Sequence, residues 1–221
     1  MALPAAWKQL DADLDVLALH FKDFAASKSS LNLPSHFSLL DECLLEGLLS
    51  RVWQSWCGFC RTCVVESCMG TVNASGVTVM ALPDAISEAH VSGAAVVAKK
   101  KSARPPYWGN TNALLRSEPT WGDTDVLADL LVRLQPANSA TMLAAFSSAH
   151  SRAKALQTIR NGAAHNHHQT LADIQLLWSA YIAFPINHPT HAMFWIEPTS
   201  SDFLITHIID VLRDAGLLAI S

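Results

Sequence analysis

Arg160 and His165 are the two residues whose types and spacing carry the most chemistry, with Asn161 directly after the arginine in the run Arg160-Asn161-Gly162-Ala163-Ala164-His165. An imidazole titrates near neutral pH, so it can take a proton from one oxygen and deliver one to another. A guanidinium offers a planar fork of donors. It grips phosphate oxygens through paired, charge-assisted hydrogen bonds and answers negative charge that develops on them. Such a pair can run proton and phosphate chemistry without a metal. Histidine is abundant around it: of ten in the chain, His150, His165, His167, His168, His188 and His191 fall in one stretch. His167 and His168 fit auxiliary proton carriers or nucleic-acid contacts, and fit a solvated helix start better. His150 reads as a helix-surface or core histidine.

Three other groupings offer weaker chemistry. Lys99, Lys100, Lys101 and Arg104, followed by Tyr107 and Trp108, combine charge with aromatic faces. That pairing can track a phosphate backbone and stack a base, although a solvated basic loop has the same composition. Cys57, Cys60, Cys63 and Cys68 have spacings that resemble a metal run. They lie on a strongly helical, Trp- and Val-filled segment, however, and free cysteine packs as a small apolar residue. Core packing is the expectation for them, and a disulfide framework is not expected of five cysteines without a secretory signal. His165, His167 and His168 with His188 and His191 could supply zinc ligands, but no H-E-x-x-H or similar spacing sets a catalytic acid beside them. No metal or other cofactor is therefore assigned. Glycine-rich phosphate loops and a serine nucleophile elbow are absent. Glu46 and Glu66 lie in upstream helices as candidate partners of Arg160, with no spacing that tests either.

The elements that must position these residues read as helices. Trp7, Leu10, Leu14, Leu17, Phe21 and Phe24 recur at steps of three and four, which predicts a helix over Pro4–Ala26. A break at the SKSSLNLP stretch and a restart at Pro34-Ser35 follow. Leu39–Met69 carries an almost unbroken helical pattern that Gly47 could divide, with Gly70 as its C-cap. Gly76–Leu82 reads as a loop or a small hairpin. Asp84–Asp123 reads as an irregular excursion that includes the turn-like Trp108-Gly109-Asn110. A helix over Asp123–Leu134, capped by Asp123 or Thr124, ends before Pro136. The next opens at Ser139 and runs through Ile159 into Asn161-Gly162, which should break it. A further helix is expected over Thr170–Phe184, a short strand over Ala192–Ile196, and a last helix over Ser201–Ala215. The sum is a mostly α chain of about six helices. We expect one domain over 1–221, with an N-terminal helix over 4–26, a core over about 36–184 and a C-terminal appendage over 185–221.

Composition narrows the classes. A chain of 221 residues that is 50% hydrophobic and 15% charged can offset its conformational entropy by burial. No apolar run approaches the ~20 residues a bilayer span requires. The start MALPAAWKQL lacks a basic region followed by an apolar core, so no signal peptide and a cytoplasmic location are expected. A net charge of -4 argues against gripping nucleic acid by bulk charge and leaves room for a local basic cleft.

The R-x4-H run, with a polar residue after the arginine and helices on both sides, resembles the signature of the HEPN superfamily. Many of its members are all-α, metal-independent endoribonucleases. The resemblance covers about ten residues in motif and about Leu39–Phe184 in helix order. It implies an RNA substrate, with Arg160 on the scissile phosphate, His165 as acid/base or activator of the 2′-hydroxyl, and Asn161 orienting either. It also implies a homodimer whose two motifs face each other in one composite cleft. In that setting the Trp- and Cys-rich helix over Arg51–Met69 would suit a two-fold interface, since a helix apolar nearly all round must be buried on every side, in core or partner. A role as toxin or effector in prokaryotic defence, restrained by an antitoxin, sensor or activator protein, is implied as well. One departure is plain. The residues after the histidine, Asn166-His167-His168-Gln169, contain no tyrosine of the kind modified in some members. Two other readings stay open: a non-catalytic HEPN-like module that binds RNA or a partner, and a helical interaction protein with no nucleic-acid role.

Overall fold

A computed structural model describes residues 2–28, 37–109, 115–165 and 167–221. It is mostly helical. Eight α-helices occur among the described residues: α1 (Leu3–Ser27), α2 (Leu39–Met69), α3 (Glu88–Ala98), α4 (Thr124–Leu134), α5 (Ser139–Ser148), α6 (His150–Ala164), α7 (His168–Gln175) and α8 (Leu204–Ala219). Short 3-10 turns occur at Leu115–Ser117, Trp178–Ala180 and Pro189–Phe194. Two two-residue strands, β1 (Thr71–Val72) and β2 (Thr78–Val79), pair antiparallel with Thr71 opposite Val79. The expected break and restart over 29–36, Asn110 of the expected turn, and Asn166 lie outside the described residues.

The chain divides into two compact units. One holds Met1–Asp11, Trp56–His150 and Asp214–Ser221, the other Ala12–Ser55 and Ser151–Arg213. In the first unit, the later half of α2 is the spine. Trp56 is fully buried, stacks near Phe59 with ring centroids 5.9 Å apart, meets the edge of Phe146 at 5.8 Å, and donates its indole N–H to the Gly122 carbonyl. Cys60, Cys63 and Cys68 are buried free thiols. Burial pushes their pKa values up, that of Cys68 to about 12, so they pack as apolar groups. Most apolar residues of Arg51–Met69 are buried within the chain, which is the core alternative open to a helix apolar nearly all round.

A second anchor in this unit is Glu118, just past the 3-10 turn at Leu115–Ser117. Its carboxylate accepts a two-pronged pair of bonds from Arg61 at 2.7 and 2.8 Å, one from Ser92 Oγ at 2.6 Å and one from Trp121 Nε1 at 2.8 Å. Burial would raise its pKa, but these donors outweigh burial and hold it at about 2. Within the expected irregular excursion, α3 is a helix that sequence reading missed. Its buried face, Val91, Ser92, Gly93, Ala94, Ala95 and Ala98, is made almost wholly of small residues. Such a face shows no large-residue stripe at helical spacing.

The second unit gathers aromatic rings. Phe21 packs on Phe194 at 5.1 Å and edge-on to Phe203 at 5.6 Å, and Phe37 reaches Phe194 at 5.2 Å. Met193 and Trp195 are fully buried, and Trp195 donates to the Phe184 carbonyl. The strand expected at Ala192–Ile196 is instead the 3-10 turn Pro189–Phe194, followed by single bridges from Ile196 to Ile182 and Phe203. The helix expected over Thr170–Phe184 ends at Gln175.

Candidate functional site

The motif sits at the C-terminal end of α6, and that helix does not break where expected. It runs unbroken through Asn161-Gly162 to Ala164, and the His165 N–H still bonds the Asn161 carbonyl at 3.0 Å. The reason is packing. A Cβ on Gly162 would lie 2.7 Å from Cδ1 of Ile174 on α7 and 3.4 Å from the ring of Pro189. A side chain there would require the far end of Ile174 to shift, so glycine permits the close approach of α6 to Ile174 and Pro189.

An unbroken helix sets the geometry of the pair. Five residues turn about 140° round a helix, so Arg160 and His165 do not share a face. The residue on the face of His165 is Asn161, four positions before it. The Asn161 side chain accepts a bond from Arg160 Nη1 at 3.2 Å through Oδ1. Asn161 thus links the arginine to the histidine's side of the helix. Asn161 and His165 are exposed and Arg160 is half-buried. Asn161, but neither Arg160 nor His165, lines an open groove of about 450 Å³ together with Thr158, Gly162, Thr170, Asp173, Leu176 and Leu177.

His167 and His168 open α7. The ring of His167 accepts from the Thr170 N–H while Thr170 Oγ1 accepts from the His167 N–H, a reciprocal cap. Its role is the helix start, and His168 is exposed one residue on. His150 begins α6 with Nδ1 2.8 Å from Thr124 Oγ1. The basic segment belongs to the other compact unit. There Lys99 Nζ donates to the carbonyls of Ser117 and Glu118, so it clasps the loop that carries Glu118. Lys100, Lys101 and Arg104 are exposed, and Arg133 donates to the carbonyls of Ala98 and Lys100.

The histidine zinc set is not assembled as the spacing had offered it. His188 and His191 come together, with ring centroids 5.7 Å apart, and their neighbours are glutamates of α2. His191 Nε2 stands 3.5 Å from Glu42 Oε1, and His188 Nε2 stands 3.3 Å from Glu46 Oε1. Glu46, weighed as a partner of Arg160, thus faces His188. Burial, then the neighbouring His188, lowers the pKa of His191 against the opposing pull of Glu42. The grouping of His188 and His191 with Glu42, and of Glu46 with His188, is what sequence reading missed. Its signal was present as Glu42-x3-Glu46 at the start of a helix and His188-x2-His191 ahead of an aromatic run. Only the fold could say that the two belong together.

Comparison with family models, with curated proteins and with solved structures finds no match for this chain. The class that the geometry defines is accordingly a mostly α protein with a half-buried Arg160 beside the exposed Asn161 and His165 at a helix end. What it does is argued from that surface.

Proposed function

We propose that the chain is a metal-independent endoribonuclease of the HEPN type. The observation that carries this reading is the surface at the end of α6. Asn161 holds Arg160 Nη1 and stands one helical turn before an exposed His165, at the edge of an open groove. In the reaction, His165 takes the proton of the 2′-hydroxyl as its oxygen attacks the adjacent phosphorus, or protonates the 5′-oxygen as that bond to phosphorus breaks. Arg160 stabilises the charge on the non-bridging oxygens. The products are a 2′,3′-cyclic phosphate and a 5′-hydroxyl end. One histidine per chain serves one of the two proton transfers. A homodimer with facing motifs supplies the second, and focuses positive charge that a chain of net charge -4 otherwise lacks. A role in defence, under the restraint of a partner protein, belongs to the same reading.

The test is cleavage of bulk cellular RNA by the purified chain, with the ends of the fragments identified. Wild type is expected to leave cyclic phosphates and 5′-hydroxyls. His165→Ala is expected to lose about 10²–10⁴-fold in rate with its helical content unchanged, because the side chain is exposed. Arg160→Lys is expected not to restore activity, since the fork is lost. Full activity in His165→Ala, or fragments bearing 5′-phosphates, refutes the mechanism. RNA binding that depends on Arg160, without cleavage by wild type, replaces it with a binding module.

A further inference from the structure

We propose that Glu42, His188 and His191 form a binding site for one divalent transition-metal ion of the zinc class, with Glu46 beside His188. The site lies within the second compact unit and stands independently of the endoribonuclease reading.

The ligand atoms are already gathered. One oxygen of Glu42 and one ring nitrogen from each histidine all lie within 4.8 Å of one another. Zinc–nitrogen and zinc–oxygen bonds of about 2.0–2.2 Å give a tetrahedron with edges of about 3.3–3.6 Å. The separation of His191 Nε2 and Glu42 Oε1, 3.5 Å, is of that length. Glu42 and Glu46 are four apart on α2, so both carboxylates rise from one helix face. The histidines are held by the 3-10 turn Pro189–Phe194, His188 as its cap and His191 within it.

A second observation points to an ion rather than to two simple ion pairs. His191 is only 4% exposed, yet its Nε2 has no hydrogen-bond partner. Glu42 Oε1 at 3.5 Å does not meet hydrogen-bond geometry. A buried ring nitrogen aimed at a carboxylate and left unbonded is costly unless something else satisfies it. His188 is prepared from behind, since its Nδ1 lies 2.8 Å from Thr190 Oγ1. The Thr190 N–H also donates to Nδ1 at 3.4 Å, and ligation through Nε2 uses the tautomer in which Nδ1–H is donated to Thr190 Oγ1 instead. Two imidazoles and one carboxylate suit a borderline cation such as Zn²⁺ and exclude a preference for Mg²⁺ or Ca²⁺, which take oxygen ligands. The ion would tie the turn Pro189–Phe194 to α2. Pro189 is also where α6 presses its Gly162, so the ion would brace the floor under the motif.

The experiment titrates Zn²⁺ into the full chain after chelator stripping and dialysis, with isothermal calorimetry and thermal melts as readouts, and repeats it with Co²⁺ for its absorption spectrum. Expected are one ion per chain with Kd on the order of 0.1 µM or tighter, a rise in Tm with Zn²⁺, and the absorption of a tetrahedral Co²⁺ site. Glu42→Gln and His191→Ala should each weaken binding by at least about 10–100-fold. The triple change of His165, His167 and His168 to alanine should leave it intact. His191→Ala opens a buried site and can fail to fold. Glu42→Gln, three-quarters buried at the end of an exposed helix start, then carries the test. Binding no tighter than millimolar, binding unaffected by Glu42→Gln in a folded protein, or binding that disappears with the triple change overturns the proposal.

Discussion

Replacing Glu118 by glutamine tests whether one carboxylate holds the loop after the 3-10 turn at Leu115–Ser117. The fully charged group accepts from Arg61 twice, from Ser92 and from Trp121. Its pKa falls from 4.5 to about 2 against the pull of burial. A drop of that size corresponds to about 3 kcal/mol for a fully shielded group. Arg61 is about a quarter exposed, and solvent screening there reduces the figure to about 2 kcal/mol. The sign follows from which state binds the proton. The unfolded carboxyl titrates near 4.5 and the folded one near 2, so the contribution is whole above pH 4.5 and drains away as pH falls towards 2. Urea unfolding of wild type and Glu118→Gln at a series of pH values reads it directly. The two should differ by about 2 kcal/mol at pH 7, with the gap closing between pH 4.5 and 2. Glutamine keeps an acceptor for Ser92 or Trp121, and Arg61 keeps Glu88 at 2.8 Å, so the variant should fold. A gap that stays constant from pH 7 to pH 2 would show that the charge of Glu118 contributes nothing and that the loop is held by shape alone.

The remaining expectations concern the motif and its supports. Gly162→Ala gains about 1 kcal/mol in helix propensity and must move the far end of the buried Ile174 side chain, at a cost of about 1–3 kcal/mol where that methyl has nowhere to go. The expected net is a loss of about 1 kcal/mol in chemical denaturation, and a gain would show that Ile174 yields freely. His167→Ala removes the reciprocal cap of α7, which should cost about 0.5–2 kcal/mol and leave the chemistry of His165 untouched. A large loss of cleavage in that variant with stability unchanged would make His167 a participant. RNA cleavage by His165→Ala and Arg160→Lys, and Zn²⁺ titration of Glu42→Gln, complete the set.

Much of the fold was legible where helices are amphipathic or capped. α1 and α2 lie within a residue of their expected bounds, and Asp123 caps α4 as its position promised, accepting from Asp125 and Val126. Reading failed where tertiary packing overrides local preference. Ser139–Ile159 carries one continuous helical pattern, yet the chain turns at Ala149 between α5 and α6, with no glycine or proline to announce it. What marks that point is a long-range contact, His150 to Thr124, which no local pattern encodes. Gly47 in turn leaves α2 whole, having only open space beside it.

The motif shows the same conflict at the place that matters for function. Locally, Asn161-Gly162 says stop, and a stop there would free Arg160 and His165 to swing onto one face. The packing of Gly162 on Ile174 and Pro189 says continue, and the helix continues. The consequence is chemical. Within one chain the arginine reaches the face of the histidine through the amide of Asn161 rather than through a bend in the backbone. Asn161 is then more than a polar neighbour. If the arginine and histidine act on one phosphate, Asn161→Ala should lower cleavage by releasing Arg160 from its hold while leaving the exposed surface and the helix intact. Asn161→Asp should retain the acceptor for Arg160 and so the position of the guanidinium. An alanine variant as active as wild type would mean that the bond between Arg160 and Asn161 is incidental, and that any composite cleft must recruit its arginine from the second copy.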